Sequence, residues 1–114
     1  MVSNYKVITL CGSTRFKEDF ERVNYELTRA GNIVISVGCF GHAGDEFTEA
    51  EKVMLDDMHK RKIDMADAIY VINKDGYIGE STSSEIQYAM RHGKQLKFME
   101  PPQDEYLREH FYFE

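Results

Sequence analysis

The sequence predicts an α/β protein built as a three-layer, doubly wound parallel sheet of the flavodoxin or Rossmann type, with strand order 2-1-3-4. Three observations predict it. Four short apolar runs are separated by three segments of helical periodicity. The runs are apolar without strict alternation, as strands covered on both faces are. A strand-helix succession of this kind closes into a parallel sheet, and right-handed crossovers make 2-1-3-4 its natural order.

Taken in order, Tyr5–Cys11 is a β-prone run that ends at Gly12-Ser13-Thr14, as a buried strand entering a loop would. Phe16, Phe20, Val23, Leu27 and Ala30 then share one helical face, and Gly31-Asn32 stops that helix. Ile33–Val37 is the second strand. Residues 38–48 form a glycine-bearing loop, and Thr48 with Glu51 makes a capping box for a helix running to about Ala66. Its apolar stripe is Met54, Met58, Lys62 and Met65, flanked by Leu55 and Ile63, with methionine filling gaps. Ala68–Asn73 is the third strand. Ser81-Thr82-Ser83-Ser84 is a helix-start cluster for a third helix, about Ser83 to Arg91, closed by His92-Gly93. Gln95–Met99 is the fourth strand, and an aromatic tail follows Pro101-Pro102. Neither repeats nor linkers divide the chain, so residues 1–114 read as a single domain.

With 42% apolar and 30% charged residues, the composition is that of a folding chain rather than a disordered one. Fourteen basic against 20 acidic residues leave a net charge of −6, which argues against nucleic acid or an anionic membrane as partner. An anionic ligand must therefore be held locally. No segment approaches the ~20 apolar residues of a membrane span, and the N-terminus does not read as a signal peptide, so a cytoplasmic location is expected. Cys11 and Cys39 are expected as reduced, buried thiols. With no Cys/His/carboxylate ligand pattern in the spacing, neither a metal nor another cofactor is implied.

In a sheet of this order, ligands bind beyond the carboxyl ends of the strands near the switch point. That selects the loops 11–15, 38–47 and 73–85. Gly12, Ser13, Thr14 and Arg15 combine a close backbone approach, two hydroxyls, free amides and a guanidinium, which suits a phosphate or a ribose hydroxyl. The same residues also read as a capping serine followed by a solvated arginine. Only three residues separate Cys11 from Arg15, too few for a phosphate-wrapping cysteine loop, so Cys11 reads as core. Ser81, Ser83 and Glu85 begin the third helix. There the macrodipole keeps a carboxylate ionised, as a nucleophile requires, although a glutamate after serines is also a common cap. His42 lies in the glycine-rich loop, where it either faces substrate or has no role. Asp67 precedes strand three at the far end from the ligand and reads as a turn or cap. Asp45 and Glu46 read as solvated, and Lys60, Arg61 and Lys62 as pairing along their helix with Asp56 and Asp57.

Cys11-Gly12-Ser13-Thr14-Arg15, the approach Ile63-Asp64-Met65-Ala66-Asp67-Ala68, and Glu85-Ile86-Gln87-Tyr88-Ala89 followed by Gly93-Lys94 together resemble the nucleoside 2-deoxyribosyltransferase superfamily, which includes the 2′-deoxynucleoside 5′-monophosphate N-glycosidases. The resemblance spans about residues 5–100. It implies Glu85 as the nucleophile, attacking the anomeric carbon to give a glycosyl-enzyme, with the Gly12–Arg15 loop orienting the sugar and any 5′-phosphate. It implies a nucleoside or nucleotide as small-molecule partner. The chain departs from the family at two places. His59 stands where an active-site aspartate is usual; it either donates a proton near neutral pH or is a surface histidine in a charged helix. Ser81 and Ser83 replace glycines that commonly precede the nucleophile, and Gly79 replaces a polar residue. These departures leave a second reading open, a non-catalytic nucleotide or nucleotide-sugar sensor of the same fold. A domain this short offers an open shelf, so a homodimer or higher oligomer is expected, with Tyr106 to Phe113 as contact or lid.

Overall fold

Val7–Gly12 (β1), Ile33–Ile35 (β2), Ala68–Ile72 (β3) and Gln95–Phe98 (β4) pair in parallel in the order β2-β1-β3-β4, as expected. They belong to a computed structural model that describes residues 2–40 and 46–111, without the side chains of the last two. Ile8, Leu10, Cys11, Ala68, Ile69, Val71 and Ile72 are all solvent-excluded, because helices cover both faces of β1 and β3. β2 is shorter than its apolar run. Ser36 and Val37 leave the sheet, and the Ser36 carbonyl accepts instead from the Lys62 ammonium at 3.0 Å.

A single 3-10 turn, Thr14–Phe16, leads into Lys17–Arg29 (α1), whose Phe20 and Val23 bury against Leu10 and Ile72 on one face. Glu49–Asp64 (α2) and Glu80–Arg91 (α3) pack together on the other side, where Ile63, Ile86 and Ala89 meet Cys11, Ile69, Val71, Leu96 and Phe98. The capping box forms as the residues require. The Glu51 amide donates to the Thr48 hydroxyl at 3.1 Å and the Thr48 amide to the Glu51 carboxylate at 2.9 Å.

Two helices differ from expectation. The methionine stripe is not the buried face of α2, for Met54, Met58 and Met65 are 50%, 43% and 61% exposed while His59 and Ile63 are buried. A polar histidine one turn from an isoleucine faces inward, so apolar periodicity pointed to the wrong side. Helix α3 starts three residues early. Gly79 is its N-cap with no side-chain cap, and the serines occupy the first two turns rather than the cap. Of the aromatic tail, Glu105–Phe111 forms α4, Leu107 packs onto the α3-side core and Tyr106 is exposed.

At the switch point Gly12 pairs with Ile72. Its φ of +151° and the 2.8 Å that would separate a Cβ from the Ile72 carbonyl oxygen leave no room for a side chain. At the opposite end of the strands, the Asp67 carboxylate accepts from the Val7 amide at 2.8 Å, the turn role expected of it. Among the described residues no helix is long and apolar enough to cross a membrane.

Candidate active site

A cavity of about 500 Å³ opens where β1 ends, between the residue 37–40 segment and the inward side of α2 and α3. Gly12, Thr14, Asp56, His59, Lys62, Ser81 and Glu85 line it. Five of these seven come from α2 and α3.

The innermost groups are His59 and Glu85, each 8% exposed, with Cys11 wholly buried beneath them. His59 Nε2 lies 3.5 Å from Cys11 Sγ and 3.8 Å from Glu85 Oε1. Burial pushes Glu85 up to about 7, and the Asp56 carboxylate adds to the rise, while contacts with the Cys11 thiol, Lys60 and Ser81 oppose it. Burial pushes His59 down to about 4, reinforced by the Lys62 ammonium and opposed by the ring's hydrogen bond to the Leu10 backbone and by Asp56. Burial, followed by the Glu85 charge, raises the Cys11 thiol.

These values correct two expectations. Glu85 lies in the second turn of α3, not the first, and desolvation outweighs any macrodipole effect, so near neutrality it is divided between its acid and carboxylate forms. His59 is neutral at that pH, so its contact with Glu85 is not an ion pair and the ring holds no spare proton to give. Cys11 is core by burial, as expected, and does not line the cavity, but its sulfur touches the His59 ring that does.

The first loop divides. Gly12 and Thr14 line the cavity. Ser13 does what a cap does, its hydroxyl accepting from the Arg15 amide at 3.3 Å and from Arg15 Nε at 3.2 Å. The Arg15 guanidinium stands 4.2 Å over the Tyr77 ring, with Nη2 donating to the Tyr77 hydroxyl at 3.2 Å, and so bridges the loops after β1 and β3. Neither Ser13 nor Arg15 is among the lining residues. Ser81 lines the cavity and donates to Asp56 Oδ1 at 3.2 Å, whereas Ser83 does not line it and its amide bonds the Gly79 carbonyl. His42 lies outside the described residues. Cys39 is exposed, against expectation, because β2 ends four residues earlier and the chain has left the sheet.

Asp56 and Lys62 were assigned by sequence to pairing along α2. Among the described residues no ion pair joins Asp56 or Asp57 to these three cations: the Arg61 guanidinium lies 3.8 Å from Asp64 instead, while Asp56 and Lys62 face the cavity. The signal that finds them is a polar helical period. Lys52, Asp56, His59 and Lys62 recur at steps of 4, 3 and 3, and all four line the cavity.

No family model matches the chain, and no curated protein matches it by sequence. Among solved structures, a 2-deoxyribosyltransferase from the psychrotolerant bacterium Bacillus psychrosaccharolyticus superimposes with a TM-score of 0.70 at 18% identity, covering 95% of this chain and 85% of that one. The chain therefore shares the fold of a 2-deoxyribosyltransferase.

Proposed function

We propose that the protein cleaves or transfers at the N-glycosidic bond of a nucleoside or nucleoside 5′-monophosphate, with Glu85 as nucleophile. The observation that carries this reading is Glu85 itself, a desolvated carboxyl at the floor of an open cavity at the switch point, in a fold shared with a 2-deoxyribosyltransferase. A desolvated carboxylate is a stronger nucleophile than a hydrated one, and a raised pKa is the mark of that desolvation. Glu85 Oε attacks the anomeric carbon as the bond to the base nitrogen breaks. The bonding pair leaves with the base, and the glycosyl-enzyme passes its sugar to water or to a second base. Because His59 is neutral, the departing base meets the Lys62 ammonium as donor in the same cavity rather than an imidazolium.

Arg15, held against Tyr77 at the loop beside the cavity, is the group within the first loop suited to a 5′-phosphate. The open cavity is completed by a second copy of the chain. The support for its position is on α2, where Val53, Met54 and Met58 are exposed and Met58 also lines the cavity, so the contact moves from the aromatic tail to this helix.

The reading is tested by incubating the protein with deoxy- and ribonucleosides and their monophosphates and following free base by chromatography. Base release by the wild type and its loss in Glu85→Gln is the expected result. Ligand binding by thermal shift with no base released from any substrate selects the non-catalytic sensor instead.

A further inference from the structure

We propose that Cys11, His59 and Glu85 form a binding site for a borderline-soft divalent cation of the zinc class, with the fourth coordination position open to the cavity. The three residues come from β1, α2 and α3, and their ligand atoms all lie within 4.8 Å of one another. A tetrahedral zinc ion with ordinary Zn–S and Zn–N lengths separates sulfur from nitrogen by about 3.5 Å, and nitrogen from oxygen by about 3.3 Å. The observed separations are 3.5 Å for Cys11 Sγ to His59 Nε2 and 3.8 Å for His59 Nε2 to Glu85 Oε1. The trio is thus close to a preformed face of a coordination tetrahedron.

The donor set fits the ion chemically. One thiolate and one carboxylate balance a dication, and the neutral imidazole adds a third ligand without further charge, so a buried site ends neutral. Two protons leave, one from the thiol and one from the carboxyl when it holds one. Thiolate with imidazole selects zinc over calcium or magnesium, which take oxygen. The ring's hydrogen bond to the Leu10 backbone is the outer contact that orients a ligating imidazole. Entry is open, because His59 and Glu85 line the cavity.

Metal-free wild-type protein titrated with Co²⁺ tests the site without any nucleoside. Expected are a one-to-one endpoint, the visible bands of tetrahedral cobalt, a thiolate-to-cobalt charge-transfer band and bleaching by Zn²⁺. Cys11→Ser and His59→Gln are each expected to weaken binding at least ~100-fold, with the charge-transfer band lost in the first. Cys39→Ser, which removes the exposed thiol, should leave the spectrum unchanged. Absence of a tetrahedral spectrum in folded wild-type protein overturns the proposal, as does a charge-transfer band that survives Cys11→Ser or disappears with Cys39→Ser. Should Cys11→Ser fail to fold, His59→Gln and the wild-type spectrum decide. Cobalt binding is read without nucleoside and base release in metal-free protein, so the failure of either reading leaves the other standing; because the ion engages the Glu85 carboxylate that attacks in the proposed reaction, metal-loaded protein is expected to release no base.

Discussion

The imidazole of His59 faces the carboxyl of Glu85 across 3.8 Å, and their shared burial moves the two groups in opposite directions, Glu85 up to about 7 and His59 down to about 4. Between those values both are neutral. For the proposed chemistry, the attacking form of Glu85 is the carboxylate, so base release should rise as pH increases through about 7 and then level. The pH profile of kcat/KM measures this. A profile flat from about pH 5 to 8 counts against Glu85 as nucleophile.

Folding stability responds to the same pair with opposite signs. Between about 4.5 and 6.5 the folded chain keeps a proton on Glu85 that the unfolded chain has released, and lacks one on His59 that the unfolded chain holds. The two contributions cancel in the wild type. In His59→Gln only the Glu85 contribution remains, so stability relative to wild type should fall with rising pH over that window, by roughly 3 kcal/mol. In Glu85→Gln it should rise over the same window. Urea denaturation at several pH values reads both slopes, and parallel curves for variant and wild type would remove this account.

Asp56 raises Glu85 through its charge, and Ser81 holds it at 3.2 Å. Asp56→Asn should therefore move the acid limb of the activity profile to lower pH. An unmoved limb would mean that Asp56 does not face Glu85 in solution.

Gly12→Ala would bring a methyl to 2.8 Å from the Ile72 carbonyl oxygen at a φ of +151°. The expected cost is about 1–3 kcal/mol of stability, with reduced nucleoside binding as the strand ends part. Thermal denaturation and ligand titration together check it.

The exposed α2 face predicts association. The wild type should sediment above its 13.3 kDa chain mass, and Met54→Glu with Met58→Glu should return it to that mass. A wild type that is already monomeric at micromolar concentration contradicts the α2 contact.

Local pattern was enough for the elements and their order. The run Ala68–Ile72 sits in a central parallel strand paired on both sides and buried, Ile33–Ile35 forms the partly exposed edge strand beside β1, and the crossover rule then leaves one order for four strands. Glu85, Gly12 and Thr14 were likewise legible, since loops at strand ends and helix starts can be counted along the chain. What only the tertiary structure decided is which polar groups lose water. Burial of Cys11, His59 and Glu85 from three separate elements into one dry cluster has no signature in spacing, and it moves the His59 imidazole away from titration near neutral pH and makes an ionised glutamate a half-protonated one. Helix α2 shows the same limit, because hydrophobicity faces its methionines inward whereas packing against β1 and α3 placed His59 there. Desolvation is a property of the assembled fold, and it sets the protonation of both groups.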